Sequence, residues 1–160
     1  MIYSFAIFIF LSFATLYSQA CDYKLVVKNI KRCNDSGNEN DILNPGMRFS
    51  DDCDLEPIGC VQLSKPTKKL EINYNIISAV TGITLEKKSM SACGLKIGSK
   101  TVKCPTQENE KICSEPGFSM PLAAKALLSV ATAIGQIHGT FNIVTDAGTT
   151  CYEGDAWVEK

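Results

Sequence analysis

Histidine is almost missing from this sequence: His138 is the single one in 160 residues. There is also no Cys-x-x-Cys pair, no Gly-x-Ser-x-Gly elbow and no phosphate-cradling glycine loop. One imidazole far from any cysteine cannot build a zinc site, which needs clustered thiolates or imidazoles. General acid–base catalysis loses its commonest group, and the missing elbow removes the hydrolase nucleophile. His138 reads as a turn residue between two strands. The acidic run Asp51, Asp52, Asp54 and Glu56 lacks the spacing of a calcium loop and reads as a solvated segment around Cys53. The chain is expected to be no enzyme and to need no cofactor and no metal.

Charge is absent from residues 1–20, and the basic excess that nucleic-acid binding requires is absent from the whole chain, whose net charge is −1. Residues 5–16 form a largely apolar run of twelve, followed by Ser18-Gln19 and the small Ala20. That layout is a signal peptide cleaved after Ala20, and the run is too short to span a bilayer. A single domain over residues 21–160 is expected to follow. All eight cysteines lie in it: Cys21, Cys33, Cys53, Cys60, Cys93, Cys104, Cys113 and Cys151. An even count behind a secretory leader implies four disulfides formed in an oxidising compartment, leaving no thiolate nucleophile. Asn34-Asp35-Ser36 is a glycosylation sequon, so Asn34 is a candidate for modification.

The small net charge hides an asymmetry. Residues 35–56 hold seven acids and one base, Arg48, whereas residues 60–104 hold eight lysines and two acids, Glu71 and Glu86. Two solvated surfaces account for this. A basic rim that meets an anionic headgroup or a membrane surface accounts for it too.

Periodicity is what the mature chain does show. Residues 23–32 (YKLVVKNIKR) are β-branched and read as an opening strand. Residues 34–56, rich in Asn, Asp and Gly with a Pro-Gly turn at Pro45-Gly46, read as a long loop. In residues 69–76 (KLEINYNI) Leu70, Ile72, Tyr74 and Ile76 alternate with polar neighbours, which gives a strand one buried and one wet face. Thr81-Gly82 breaks the run, and residues 83–87 return as its hairpin partner. Residues 95–103 read as a short strand or extended loop, and residues 105–116 as polar turn material. Residues 122–134 (LAAKALLSVATAI) suit a helix by propensity, but an all-β setting favours a buried strand. A turn at 135–139, a strand at 140–145, a turn at 146–148 and a closing strand at 149–158 complete an antiparallel sandwich.

Two stretches carry a family likeness. One is Ser91-Ala-Cys93 followed by Cys104-Pro105. The other is Gly139-Thr-Phe-Asn-Ile-Val-Thr-Asp-Ala-Gly-Thr-Thr-Cys151, with a Thr-Asp-x-Gly hairpin and a cysteine on the closing strand. With Gly59-Cys60-Val61 leading toward the 69–76 strand, they resemble the ML lipid-recognition family, which includes secreted and lysosomal sterol carriers, the group 2 mite allergens and, more distantly, the ganglioside activator. The resemblance implies an immunoglobulin-like β-sandwich with a lipid pocket between its sheets. It also implies the pairings Cys21–Cys151 and Cys93–Cys104. Cys33, Cys53, Cys60 and Cys113 then form the other two, taken as Cys33–Cys60 and Cys53–Cys113 among three possibilities. The insertion at 34–56, two additional cysteines and the alanine-rich 122–134 segment depart from the simpler members.

The expected function is a secreted, non-catalytic carrier or sensor of a hydrophobic ligand, a lipid, fatty acid or sterol, with the lysosomal lumen as the other destination. Strand phase selects Ile72, Tyr74, Ile76, Ile83, Leu85, Phe118, Leu122, Leu127, Phe141 and Ile143 as pocket residues. The lysines near the 83–104 hairpin are available to an acidic headgroup. The alternative is a secreted salivary, venom or defence effector with a filled core, acting on an unspecified protein partner through the 34–56 surface.

Overall fold

A computed structural model of the chain describes residues 21–34, 40–116, 118–121 and 135–160. The expected signal peptide, most of the sequon and the ambiguous segment at 122–134, with Leu122 and Leu127, lie outside them. Every regular element among the described residues is a strand: β1 (Lys24–Arg32), β2 (Asn40–Phe49), β3 (Leu55–Leu63), β4 (Leu70–Ser78), β5 (Thr84–Ser91), β6 (Lys96–Ile97), β7 (Lys100–Thr101), β8 (Lys111–Cys113), β9 (Gln136–Thr145) and β10 (Gly148–Glu159). They form an antiparallel sheet in the order β1-β10-β9-β4-β5, a second in the order β2-β3-β8, and the small hairpin β6-β7. Two facing sheets with four disulfides are the β-sandwich the alternating segments imply.

The alternation of β4 is the spine of the large sheet. Leu70, Ile72, Tyr74 and Ile76 stand opposite Thr145, Ile143, Phe141 and Gly139 of β9, so these residues share the inner face. The β4–β5 turn is closed by Ser78 N–H to Ile83 O at 2.9 Å and Gly82 N–H to Ser78 O at 2.8 Å. Gly82 takes φ 71°, which a side chain resists.

Four expectations are corrected here. Residues 34–56 are not a long loop, because they contain β2 and the start of β3. A bulge in β2, where the register slips between Leu43 and Gly46, breaks the period-two pattern that would have marked the strand. Pro45 is tolerated because β2 is an edge strand, so the Pro-Gly pair marks a bulge and not a turn. Residues 105–116 include β8, whose three residues pair with β3. The turn expected at 135–139 is mostly strand: β9 begins at Gln136, and His138 stands opposite Asp155 of β10.

The fourth correction is the disulfide pattern. Cys93–Cys104 is formed as expected, but the others are Cys21–Cys53, Cys33–Cys151 and Cys60–Cys113. The antiparallel register explains it. Arg32 stands opposite Tyr152, so Cys33 arrives beside Cys151 and its N–H donates to the Cys151 carbonyl at 2.9 Å. Cys21 lies beyond the other end of β1, a strand about 30 Å long. There its N–H donates to Asp51 O at 2.8 Å, beside Cys53 in the β2–β3 turn. Cys60 faces Cys113 directly across β3 and β8.

Buried apolar residues gather at both ends of the sandwich. Leu25, Leu55, Tyr74, Met120, Ile137, Ala156 and Val158 form one cluster. Leu63, Leu70, Ala92, Ile97, Val102 and Ile143 form the other, under the β6–β7 hairpin that Cys93–Cys104 secures. All of the first cluster except Met120 also lines a space between the sheets.

Candidate functional site

Glycine leaves part of the inner face of the large sheet without side chains. Along β9 the inner face reads Ile137, Gly139, Phe141, and along β10 it reads Tyr152, Gly154, Ala156, with Gly139 and Gly154 directly opposed. A methyl group built on Gly139 meets nothing nearer than Gly154 O at 4.0 Å. On the facing sheet Gly46 and Gly59 lie at the β2 bulge and also line the space. Gly59 cannot be replaced there: with φ 116°, a Cβ would stand 2.6 Å from Leu43 O and 2.7 Å from Asn44 O.

The result is a cavity of about 230 Å³ between the sheets. Its wall is almost all carbon, supplied by Leu25, Val27 and Ile30 of β1, Ile42, Met47 and Phe49 of β2, Leu55, Ile58 and Val61 of β3, Ile72, Tyr74 and Ile76 of β4, and Ile137, Phe141, Ala156 and Val158 of β9 and β10. Leu85 and Glu86 of β5 and Ile112, Ser114 and Phe118 are also part of it, as are Tyr152, Glu153 and Asp155 of β10.

Among the described residues, one long side of the sandwich is fastened and the other is not. On the β1–β2 side Arg32 donates to Asn40 O at 2.8 Å. The Tyr152 hydroxyl accepts from Ile42 N–H at 2.9 Å and donates to Asp41. That hydrogen bond from Tyr152, with those from Ile42 N–H and Arg32, holds the Asp41 carboxyl below the usual carboxylate range. Cys21–Cys53 also ties the start of β1 to the β2–β3 turn. On the opposite side β5 and the short β8 are the free edges of their sheets, with no pairing between them among the described residues. Glu86 and Leu85 approach Ser114 and Phe118 from across that gap as parts of one lining.

Of the ten residues selected by strand phase, Ile72, Tyr74, Ile76, Leu85, Phe118 and Phe141 line the cavity. Ile143 does not: it has the right phase but lies at the stapled end, where Leu63, Leu70 and Val102 fill the space around it. Ile83 is 63% exposed, because it belongs to the turn before β5 and not to the strand. A bulge between Ile76 and Ile77 then puts Glu86 opposite Ile76 on the inner face. No lysine lines the cavity among the described residues. The β1, β2 and β3 side of the lining is not among the selected residues: the 34–56 loop reading hides β2, and the opening strand and the stretch after residue 56 carry no selected residue. Ile42, Met47 and Phe49 in that stretch were the available signal.

Several polar groups around the cavity are engaged in structural contacts. His138 Nδ1 lies 3.0 Å from Asp155 Oδ1, and this contact lowers the Asp155 carboxyl from its ordinary value. Lys31 pairs with Glu153 at 3.2 Å. Asp146 accepts from Lys68 N–H at 2.6 Å and from Thr67 Oγ1 at 3.1 Å, binding the β9–β10 turn to the connection before β4. Glu56 pairs with Arg48, and Asp54 N–H donates to Ser50 Oγ, so the acidic run is used in closing the β2–β3 turn.

The fold and cavity define a disulfide-stapled, all-β protein with an apolar interior held between two sheets. No protein-family model matches this chain, and no curated protein matches it in sequence.

Proposed function

We propose that this protein is a secreted, non-catalytic carrier of a single-chain hydrophobic ligand, held between its two sheets. The observation that carries this reading is the carbon-lined cavity of about 230 Å³ with one unfastened edge. The volume falls just under the range of roughly 300–1,000 Å³ usual for small-molecule pockets, which suits one acyl chain better than a two-chain lipid. Four disulfides fit an oxidising, extracellular setting, and the likeness to the ML family adds to the case. Asn34 is exposed and open to glycosylation.

Burial supplies about 0.8 kcal/mol per methylene, close to fourfold in affinity for each one sheltered, before ordering costs. The test is native mass spectrometry of secreted protein before and after organic extraction, followed by titration with primary alcohols of increasing length. A removable adduct is expected, with affinity climbing about fourfold per methylene until the cavity is full. A bare mass and no uptake of any chain would sink the carrier and favour an effector acting through its surface.

A further inference from the structure

The cavity has a chemical polarity that a simple grease pocket lacks. Glu86 is the one acid whose strand phase aims it inward: it faces Ile76 across β4–β5, whereas Glu153 and Asp155 line the cavity from β10 with carboxylates turned out to Lys31 and His138. Glu86 stands at the unfastened edge, beside Leu85 and across from Ser114 and Phe118. It makes no ion pair or hydrogen bond among the described residues, and no lysine, arginine or histidine lines the cavity with it. Lys88, next on the same face, is outside the lining.

Tyr74 is its diagonal neighbour on the inner face. Its ring is buried at 4% exposure, and its hydroxyl has no hydrogen-bond partner among the described residues. Burial, helped by the negative Glu86, raises the phenol above its ordinary value and keeps it a proton donor. A buried hydroxyl left unsatisfied is destabilising, and a partner for it recovers that cost.

Resting on the carrier reading, we infer that the site selects amphiphiles with an uncharged hydroxyl head, placed between Glu86 and Tyr74, and disfavours free fatty acids. A carboxylate accepts hydrogen bonds and donates none, so a hydroxyl head satisfies it while a second carboxylate repels it. The same hydroxyl has an oxygen to accept from Tyr74.

The experiment compares oleyl alcohol, oleate and oleylamine, which share one chain and differ only in the head. Each is titrated at neutral pH into the wild-type protein, Glu86→Gln and Tyr74→Phe. Oleyl alcohol is expected to bind at least about tenfold more tightly than oleate, a gap in line with hydrogen bonds to charged groups. Glu86→Gln should raise oleate affinity and narrow that gap. Tyr74→Phe should weaken oleyl alcohol by about fivefold and leave oleate unchanged. Oleate binding as tightly as the alcohol, or a gap that Glu86→Gln does not move, would overturn the inference and leave the carrier standing. Tightest binding by oleylamine would overturn the uncharged-head assignment. Failure of all three chains to bind would bring down the carrier reading itself.

Discussion

Gly139 shows how one missing side chain makes room. A strand interior normally disfavours glycine by about a kilocalorie, so a glycine facing inward between Ile137 and Phe141 costs stability and yields space. Its backbone is not in the left-handed region and a Cβ there has no close neighbour, so a larger residue fits. Gly139→Val is therefore expected to fold with unchanged or higher thermal stability while losing more than about tenfold in affinity for a bound chain. Thermal melting and ligand titration on the same sample separate the two effects. Intact binding would mean that the chain lies elsewhere. Gly59 is the contrasting case, since there the backbone itself demands glycine.

At the scale of elements, Cys21–Cys53 is the only disulfide of the four that joins the two sheets, by way of the β2–β3 turn. Cys33–Cys151 and Cys60–Cys113 each lie within one sheet, and Cys93–Cys104 closes the loop around β6 and β7. In the chain-entropy account a closed loop of 32 residues contributes about 3.7 kcal/mol. Replacing both cysteines by serine should lower unfolding stability by about that amount in guanidinium titrations. A loss far below a kilocalorie would mean that the β1–β2 hydrogen bonds already hold the sheets. Elements were legible in the sequence where alternation was clean, as in β4 and its return strand. They were hidden where a bulge inserted one residue, as in β2, because the inward phase then changes partway along. The cavity followed the same rule: its β4 and β9 wall could be selected by phase, whereas on β2 and at the bulge of β5 it could not. The disulfides depended on register at both ends of β1, which no spacing of cysteines encodes.

At the scale of the whole molecule, three carboxylates set the acid limit. Asp41 is held below its ordinary value by Tyr152, Asp146 by the Lys68 N–H and Asp155 by His138. As pH falls the unfolded chain takes up these protons first, so each group's contribution is present above the unfolded value of 3.8 and is lost as pH drops through the lower folded value. Guanidinium midpoints should thus be insensitive to these groups between about pH 5 and 7 and fall below about pH 4. Asp146→Asn should flatten that fall, and an unchanged acid slope would exclude Asp146 from it. The free edge of β5 has a consequence for molecules meeting one another. Eight residues of strand with one edge unpaired among the described residues are a template for a neighbour's strand and hence for aggregation. The bulge at Leu85 kinks that edge, and Lys87 and Lys88 charge it. Each copy of the chain therefore presents its neighbours with a poor surface for sheet extension along β5.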